Sequence, residues 1–335
     1  MSTIALLTAL TVLAGTLAAS WALTGRVLAY LRRRAILDHP NDRSSHSIPT
    51  PRGGGWGVML TLLPAWALIA ATTGGLPAVL PILLGAAALI AVSWIDDRRP
   101  LSPAPRFLTQ IAAVAVGLSA LPADGMLFQG LLPFWLDRLA AGAGWLWFIN
   151  LFNFMDGIDG LAGSEAATIG AGLALVAVVG GLDPALTLYG LAAAGAALGF
   201  LVWNWHPAKL FMGDVGSVPL GFTLGWLLLM AASTGLWPAA LLVPAYFLTD
   251  ATVTLLRRLI EGKRVWEAHR EHFYQKATQR GRSHGQVVQA VLVLNGALVA
   301  LAALSVTLGW PALIIGGAAV LLLLAHLTRP GRAAA

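Results

Sequence analysis

Cysteine is absent from this chain of 335 residues, and charged residues are scarce. Without cysteine the protein has no disulfide framework, no thiolate nucleophile and no zinc-thiolate site. Only 11% of the residues are charged and 58% are apolar, whereas a soluble globular protein carries about 25% charged residues. So few charges exclude both a soluble surface and a disordered chain. A polytopic membrane protein is the class that remains.

Long apolar runs take up most of the chain, and they predict an all-α integral membrane protein. A backbone inside a bilayer must satisfy its own hydrogen bonds, and the runs show no period-two alternation, so they are expected to be helices. About eleven transmembrane helices fit, since each span needs roughly 20 apolar residues. The predicted spans are 4–30, 56–73, 77–95, 107–121, 135–152, 162–181, 185–203, 216–232, 237–257, 286–308 and 311–327.

Lys and Arg are divided very unequally between the two sides that eleven spans create. With span-end residues assigned to the nearer loop, one side holds 20 of the 21 Lys and Arg, and Arg138 falls on the other. The positive-inside rule therefore predicts a periplasmic N-terminus and a cytoplasmic C-terminus. We expect one membrane-embedded domain, 1–335, without a nucleic-acid-binding module. Its predicted cytoplasmic loops are about 31–55, 96–106, 153–161, 204–215 and 258–285.

Most carboxylates and histidines also fall on the predicted cytoplasmic side. A transporter is expected to carry ionisable residues near the middle of the membrane, and only Asp250 is a fair candidate for such a position. The gathering of polar chemistry at one interface favours a membrane-embedded enzyme. A transporter or flippase for a lipid-linked or anionic substrate is the alternative.

Two motifs supply paired carboxylates. Asp96 and Asp97 end an apolar run, and neighbours on a helix point about 100° apart, which suits two separate roles. The simpler alternative is a solvated helix end. Asn153, Asp156 and Asp159 follow one another at spacings of three and would share a face if helical. Helix packing through Asn and Gly is the alternative there, but like charges at this spacing favour a cation between them.

Three further segments bring polar side chains to the same side. Asn204, Phe211 and Asp214 precede a predicted span, and a carboxylate at a helix start can hold Mg²⁺ against phosphate oxygens or simply cap the helix. In the long basic loop, His269, Arg270 and His272 suit a diphosphate clamp; zinc binding there lacks companion ligands, and a topogenic basic flank is the alternative. In the loop before the second span, His46 and Arg52 are candidate phosphate ligands, as is Arg43.

Together these residues indicate Mg²⁺-dependent phosphoryl chemistry on a lipid-borne substrate. The motifs resemble those of the polyprenyl-phosphate N-acetylhexosamine-1-phosphate transferases, in which the run from Asn153 to Ala162 and the run from Phe211 to Ser217 have close counterparts. CDP-alcohol phosphatidyltransferases fit less well, because Asp156-Gly157 is not followed by their Ala-Arg pair.

The resemblance implies transfer of a sugar 1-phosphate from a UDP-sugar to undecaprenyl phosphate in the bacterial inner membrane, with release of UMP. It also implies Mg²⁺ as the cofactor, with Mn²⁺ as an alternative, and leaves a homodimer open. The His269-Arg270-Glu-His272 string resembles the O-antigen and lipopolysaccharide branch more than the pentapeptide-sugar enzymes, which carry consecutive histidines. By motif, Asp96 and Asp97 would lie near the lipid phosphate, Asp214 would bind the metal, Asn153, Asp156 and Asp159 would lie on the nucleotide side, Asn204 and Phe211 near uracil, and His269 and His272 near the diphosphate.

Overall fold

The computed structural model describes residues 2–40, 45, 48–265, 267 and 269–330. This part of the chain is almost entirely helical, and two strands of two residues each are its only sheet. In chain order the elements are α1 (Thr3–Arg33), β1 (Leu37–Asp38), β2 (Thr50–Pro51), α2 (Gly55–Thr73), α3 (Leu76–Arg98), α4 (Pro103–Gly117), α5 (Phe134–Phe154), α6 (Leu161–Val179), α7 (Pro184–Asn204), α8 (Asp214–Ser233), α9 (Trp237–Leu242), α10 (Ala245–Ile260), α11 (Phe273–Gln279), α12 (His284–Leu308) and α13 (Pro311–Leu327).

Each predicted span coincides with helix, and most ends agree within a few residues. The ninth span is the exception, because the prediction of one continuous helix over 237–257 is wrong. Helix α9 ends at Leu242 and α10 begins at Ala245. Pro244 lies at the break, where it offers no N–H and its ring obstructs a continuous helix.

Seven helices in the described ranges are long and apolar enough to cross a membrane: α1, α2, α3, α6, α7, α8 and α12. The protein is therefore an all-α polytopic membrane protein, apart from its very small sheet. The count of eleven spans and the orientation of the two ends stay predictions, since length and composition do not decide the remaining helical segments.

Helix α8 lies at the centre of the described bundle, and α1 lies at its edge. In the most apolar stretch of α8, 89% of the residues are buried inside the protein, whereas the corresponding share in α1 is 17%. Helices α2, α3 and α5 all pack against α8. Because α8 begins at Asp214, the fold places this carboxylate where several helix ends meet.

The segment between α1 and α2 is turned toward the start of α8. Strands β1 and β2 pair antiparallel, and Arg52, directly after β2, forms a parallel bridge with Phe211. At the next step the two backbones almost touch, since a Cβ added to Gly55 would lie 2.2 Å from the Cα of Gly216. Only glycine permits so close an approach. This packing brings Arg52 to Asp214.

Candidate active site

Three carboxylates from separate segments surround one arginine at the start of α8. Nη2 of Arg52 lies 3.0 Å from Oδ1 of Asp97 and 2.9 Å from Oδ1 of Asp214. Asp156, in the loop between α5 and α6, lies close enough to interact electrostatically with all three. We call Asp97, Asp156 and Asp214, with Arg52, the acidic cluster.

Asp97 caps the central helix. Its side chain is 2% exposed, and it accepts hydrogen bonds from the backbone N–H groups of Asp214 and Val215 at 3.2 and 3.0 Å. The first N–H groups of a helix have no partner within their own helix. Asp97 satisfies two of them from α3, and this fixes the last turn of α3 against the start of α8.

Asp96 points away from Asp97, as the angle between neighbours on a helix predicts. Its Oδ1 accepts the Leu101 N–H at 2.7 Å, and its Oδ2 lies 2.9 Å from Nη1 of Arg106 on α4. Arg106 also reaches to 3.8 Å from Oδ2 of Asp214. The basic side chain of Arg106 therefore connects Asp96 to the acidic cluster.

Asn153 and Gly213 fix the orientation of Asp214. The amide of Asn153, near the end of α5, donates to Oδ1 of Asp214 at 3.1 Å and to Oγ of Ser217 at 2.8 Å. Gly213 has φ of 74°, a conformation that residues with a side chain rarely adopt. The chain can therefore turn sharply and present Asp214 as the first residue of α8.

The electrostatics of the acidic cluster follow from its burial. Burial raises the pKa of Asp156 well above its ordinary value, Arg52 opposes the rise, and the neighbouring carboxylates Asp214 and Asp97 add to it. Burial also disfavours the charge of Arg52, but Asp97 and Asp214 outweigh this and raise the pKa of the guanidinium. The raised pKa of Asp156 means that three carboxylates around one arginine do not all ionise readily without a further cation.

Asp159 belongs to a different group of side chains. Its Oδ2 lies 2.7 Å from Nδ1 of His206 and 3.3 Å from Nδ1 of His284, and it accepts the Ala208 N–H at 3.2 Å. Burial works against ionisation here, yet hydrogen bonds from His284 and His206 lower the pKa of Asp159 to about 2. Asp156 and Asp159 would share a face only in a helix, and the segment that carries them is not helical. Helix α5 ends before them and α6 starts after Gly160, whose positive φ of 78° breaks the helix.

Asn204 and Phe211 are both tied to neighbouring loops. The side-chain oxygen of Asn204 accepts the Gly160 N–H at 3.0 Å, and its amide donates to the Leu210 carbonyl at 3.0 Å. Asn204 thereby joins the end of α7 to the loop that carries Asp156 and Asp159. Phe211 is half-buried beside the bridge to Arg52.

We call the segment that carries His269, Arg270 and His272 the histidine loop. It is anchored by Asp250, a buried residue of α10. Oδ1 of Asp250 accepts the Phe273 N–H at 3.0 Å and lies 3.2 Å from Nδ1 of His272, while Oδ2 accepts the Tyr274 N–H at 3.2 Å. The hydroxyls of Tyr246 and Thr254 also donate to this carboxylate, at 3.2 and 3.3 Å. Five donors therefore satisfy a carboxylate that is fully removed from solvent.

Tyr274 connects the histidine loop to the loop after α5. Its hydroxyl donates to the Phe154 carbonyl at 2.9 Å and packs so closely on Gly157 that a Cβ there would lie 2.1 Å away. The ring of His272 stacks on Tyr274, and His269 lies 4.9 Å from His272 between ring centres. The histidines thus lie beside the loop that contributes Asp156.

Comparisons with known proteins identify the relatives of this chain. A family model described as glycosyl transferase family 4 matches residues 79–232. The chain is 31% identical over 318 residues to a decaprenyl-phosphate N-acetylglucosaminephosphotransferase of Mycobacterium tuberculosis, covering 82% of this chain and 76% of the relative. It is 33% identical over 325 residues to a phospho-N-acetylmuramoyl-pentapeptide-transferase of Synechococcus sp., covering 86% and 88%. A probable undecaprenyl-phosphate N-acetylglucosaminyl 1-phosphate transferase of Bacillus subtilis is 29% identical over 274 residues, covering 77% and 74%.

This chain belongs to glycosyl transferase family 4. The stretch that matches the family model contains Asp97, Asp156 and Asp214 of the acidic cluster, and also Asp96 and Asp159. Arg52, His269 and His272 lie outside it. The match to the family model therefore does not include these three residues, and it is the folded structure that brings them next to the matched stretch.

Most of the predicted site residues come together, and several partners were missed by sequence reasoning. His46 and Arg43 lie outside the described residues. Arg270 is half-buried in the histidine loop, next to His269. Sequence reasoning gave no role to Arg106 or to Tyr274. It also did not pair His206 and His284 with Asp159, because separations of 47 and 125 residues carry no signal of contact.

Proposed function

We propose that this protein transfers an N-acetylhexosamine 1-phosphate from a UDP-sugar to undecaprenyl phosphate and releases UMP. The convergence of Arg52, Asp97, Asp156 and Asp214 from four segments of the chain carries this proposal. Carboxylates and guanidinium groups that meet at one point suit a diphosphate and its cation. The names of the matched relatives, which refer to polyprenyl phosphates and amino-sugar phosphates, support the same reaction.

The acidic cluster fits Mg²⁺, the cofactor that we propose, with Mn²⁺ as the alternative ion. Mg²⁺ prefers oxygen ligands, and Asp97, Asp156 and Asp214 bring three carboxyl groups to one arginine, where a bound cation would favour their ionised forms. Asp214 is the proposed ligand, with Asp156 beside it. When bound, the ion would neutralise charge on the diphosphate.

The remaining side chains have proposed roles that follow from their positions. Arg52 and Arg106 bind phosphate oxygens of the substrates. Asp96 or Asp97 keeps the lipid phosphate deprotonated, which requires only a weak base because the second pKa of a phosphate monoester is about 6. An oxygen of that phosphate then bonds to the β-phosphorus of the UDP-sugar. The bond from this phosphorus to the bridging oxygen breaks, and UMP leaves.

The donor side of the site is assigned to the loops around Asn153 and the histidines. Phe211 stacks on uracil, and Asn204 positions the loop of Asp159 beside it. Since Nδ1 of His272 is held by Asp250, Nε2 is the ring atom that remains for a diphosphate oxygen. His269 and Arg270 add to the binding of that charge.

A panel of donors tests the reaction. Purified protein would be incubated with undecaprenyl phosphate, Mg²⁺ and UDP-N-acetylglucosamine, UDP-N-acetylgalactosamine or UDP-MurNAc-pentapeptide. Release of UMP and the mass of the lipid product would be measured. We expect an N-acetylhexosamine donor to react, as in an enzyme that initiates O-antigen or lipopolysaccharide synthesis. Absence of UMP with every donor would contradict the proposal and favour a transporter.

We further propose that the site faces the cytoplasm of the bacterial inner membrane. The unequal distribution of Lys and Arg predicts this orientation. A reporter fused to the C-terminus should be active in the cytoplasm, and one fused to the N-terminus should be active in the periplasm. Reporters active in the periplasm at both ends would mean that the number of spans is even.

A further inference from the structure

Asp159, His206 and His284 bring three ligand atoms to one point outside the acidic cluster. One carboxylate oxygen of Asp159 and one ring nitrogen of each histidine all lie within 4.8 Å of one another. The residues come from the loop after α5, the loop after α7 and the first turn of α12. We call these three residues the His–Asp–His cluster.

The spacing of these atoms is close to that of a metal site. Oδ2 of Asp159 lies 2.7 Å from His206 Nδ1 and 3.3 Å from His284 Nδ1. In a tetrahedral site with metal–ligand bonds of about 2.0–2.2 Å, neighbouring ligand atoms are about 3.3–3.6 Å apart. Opening the shorter contact by several tenths of an ångström would therefore admit an ion.

Hydrogen bonds alone do not satisfy His284. The backbone nitrogen of Asp159 lies 3.4 Å from Nδ1 of His284, and Oδ2 of Asp159 lies 3.3 Å from the same ring nitrogen. If Nδ1 accepts that N–H, its lone pair also faces the carboxylate oxygen. If Nδ1 is protonated toward the oxygen, its proton faces the N–H. One contact is unfavourable in either state, whereas a cation between the ligands would use the lone pairs of both groups.

Burial and supporting contacts also suit an ion with an open position. The side chains of Asp159 and His284 are 9% and 13% exposed, whereas that of His206 is 39% exposed. An ion could enter beside His206 and keep water as a ligand. The Ala208 N–H donates to the carboxylate of Asp159 at 3.2 Å, and such supporting hydrogen bonds commonly orient metal ligands.

We propose that Asp159, His206 and His284 bind a divalent transition-metal ion of the zinc class, with water completing its coordination. Two imidazoles and one carboxylate suit Zn²⁺ or Co²⁺, whereas Mg²⁺ prefers oxygen ligands. The site is therefore distinct from the Mg²⁺ site proposed at Asp214. Its ion would hold together two loops and the start of α12, and the loop of Asp159 is also bound to Asn204 through the Gly160 N–H.

Cobalt titration tests the site without depending on catalysis. The full chain would be purified through a tag that contains no histidine and titrated with Co²⁺ in excess Mg²⁺, with the visible d–d absorption and the bound metal per chain as readouts. The variants are His206→Asn and His284→Asn, in which the amide retains a polar atom near the position of Nδ1. His326→Asn, at an exposed position on α13, is the matched control.

We expect one Co²⁺ per chain, displaced by Zn²⁺ but not by Mg²⁺. The two cluster variants should each bind Co²⁺ at least about tenfold more weakly, and His326→Asn should bind it as the parent does. The site is refuted if the parent gives no saturable d–d absorption or if both cluster variants keep the parental affinity. Displacement by Mg²⁺ would also refute it, because the ion would then lie at the acidic cluster.

Histidine modification of the parent protein provides a test that does not require folded variants. Diethyl pyrocarbonate labelling would be mapped by mass spectrometry with and without Zn²⁺. Protection of His206 and His284, with His326 unchanged, is expected. Equal labelling of all three histidines in both conditions would overturn the assignment. Because neither experiment measures transfer, failure of the proposed transferase activity would leave this result interpretable.

Discussion

Asp97 and Asp250 are two buried carboxylates that do the same structural work in different electrostatic surroundings. Each projects from one helix and accepts the first backbone N–H groups of another: Asp97 at the start of α8 and Asp250 at the start of α11. Asp97 shares its surroundings with two further carboxylates, Asp214 and Asp156. Asp250 is surrounded by hydroxyl groups, backbone N–H groups and one histidine.

The difference distinguishes Asp97, which belongs to the candidate catalytic site, from Asp250, which has a structural role. Five donors fully satisfy Asp250, so its pocket has no need of a further cation. In the acidic cluster the carboxylates outnumber Arg52, and Arg106 reaches Asp214 only at 3.8 Å. The excess charge is suited to a metal ion and a phosphorylated substrate. Asp250 thus serves as an anchor for the histidine loop, which leaves the transporter alternative without its best candidate residue.

Replacing Asp214 should have the largest effect. Asp214→Asn keeps the shape of the side chain but removes the charge that is proposed to hold Mg²⁺. We expect UMP release to fall on the order of a thousandfold or more, with insertion into the membrane unchanged. Asp124→Asn, at an exposed loop position, is the control and should keep the parental rate. A rate for Asp214→Asn within a few-fold of the parent would disprove the metal assignment.

Removing both histidines should have the next largest effect. The double change of His269 and His272 to Ala deletes two groups that are proposed to contact the diphosphate. A hydrogen bond to a charged group contributes about 1.5–3 kcal/mol, so turnover should fall about a hundredfold or more. The assay is UMP release at saturating Mg²⁺. A parental rate would contradict the role in diphosphate binding. The loop would then only help to set the orientation in the membrane, and Arg52 would be the next candidate for binding phosphate.

Asp250→Asn should cost less, because the asparagine oxygen still accepts one backbone N–H. The lost acceptor leaves a donor of Phe273 or Tyr274 unsatisfied, which should lower the free energy of unfolding by about 1–3 kcal/mol. Turnover should fall about tenfold, since the Nδ1 hydrogen bond that orients His272 is weakened. Thr254→Val, which removes one peripheral donor, should be milder on both measures.

A double-mutant cycle separates positioning from general destabilisation. If Asp250 acts through His272, the loss of turnover caused by Asp250→Asn should be much smaller when His272 is already Ala. The same factor in both backgrounds would show that Asp250 supports only the fold. In that case Asp250 would resemble Asp97 only in capping a helix, and it would have no role in positioning His272.

The sequence was a good guide to helices and a poor guide to contacts between loops. The apolar run over 311–327 coincides with α13 because a long run of apolar residues has few other stable structures in a membrane. The divergence of Asp96 and Asp97 followed from helix geometry alone. By contrast, the link between Tyr274 and Phe154 spans 120 residues, and its position depends on how separate helices pack.

Replacing His269 should have the smallest effect, a change in how Tm depends on pH. It tests the electrostatics of the histidine loop that Asp250 anchors. Burial lowers the pKa of His269 from its ordinary 6.5 to about 4, and the nearby His272 and Arg258 add to the decrease. Between these values the unfolded chain binds a proton that the folded protein does not, so stability is lost as the pH falls from about 6.5 toward 4. His269→Gln has no proton to bind. From pH 7.5 to 4.5 its Tm should therefore fall less than that of the parent, whereas the exposed control His326→Gln should follow the parent. Parallel Tm curves for the parent and His269→Gln would show that His269 titrates alike in both states and that burial does not govern this loop.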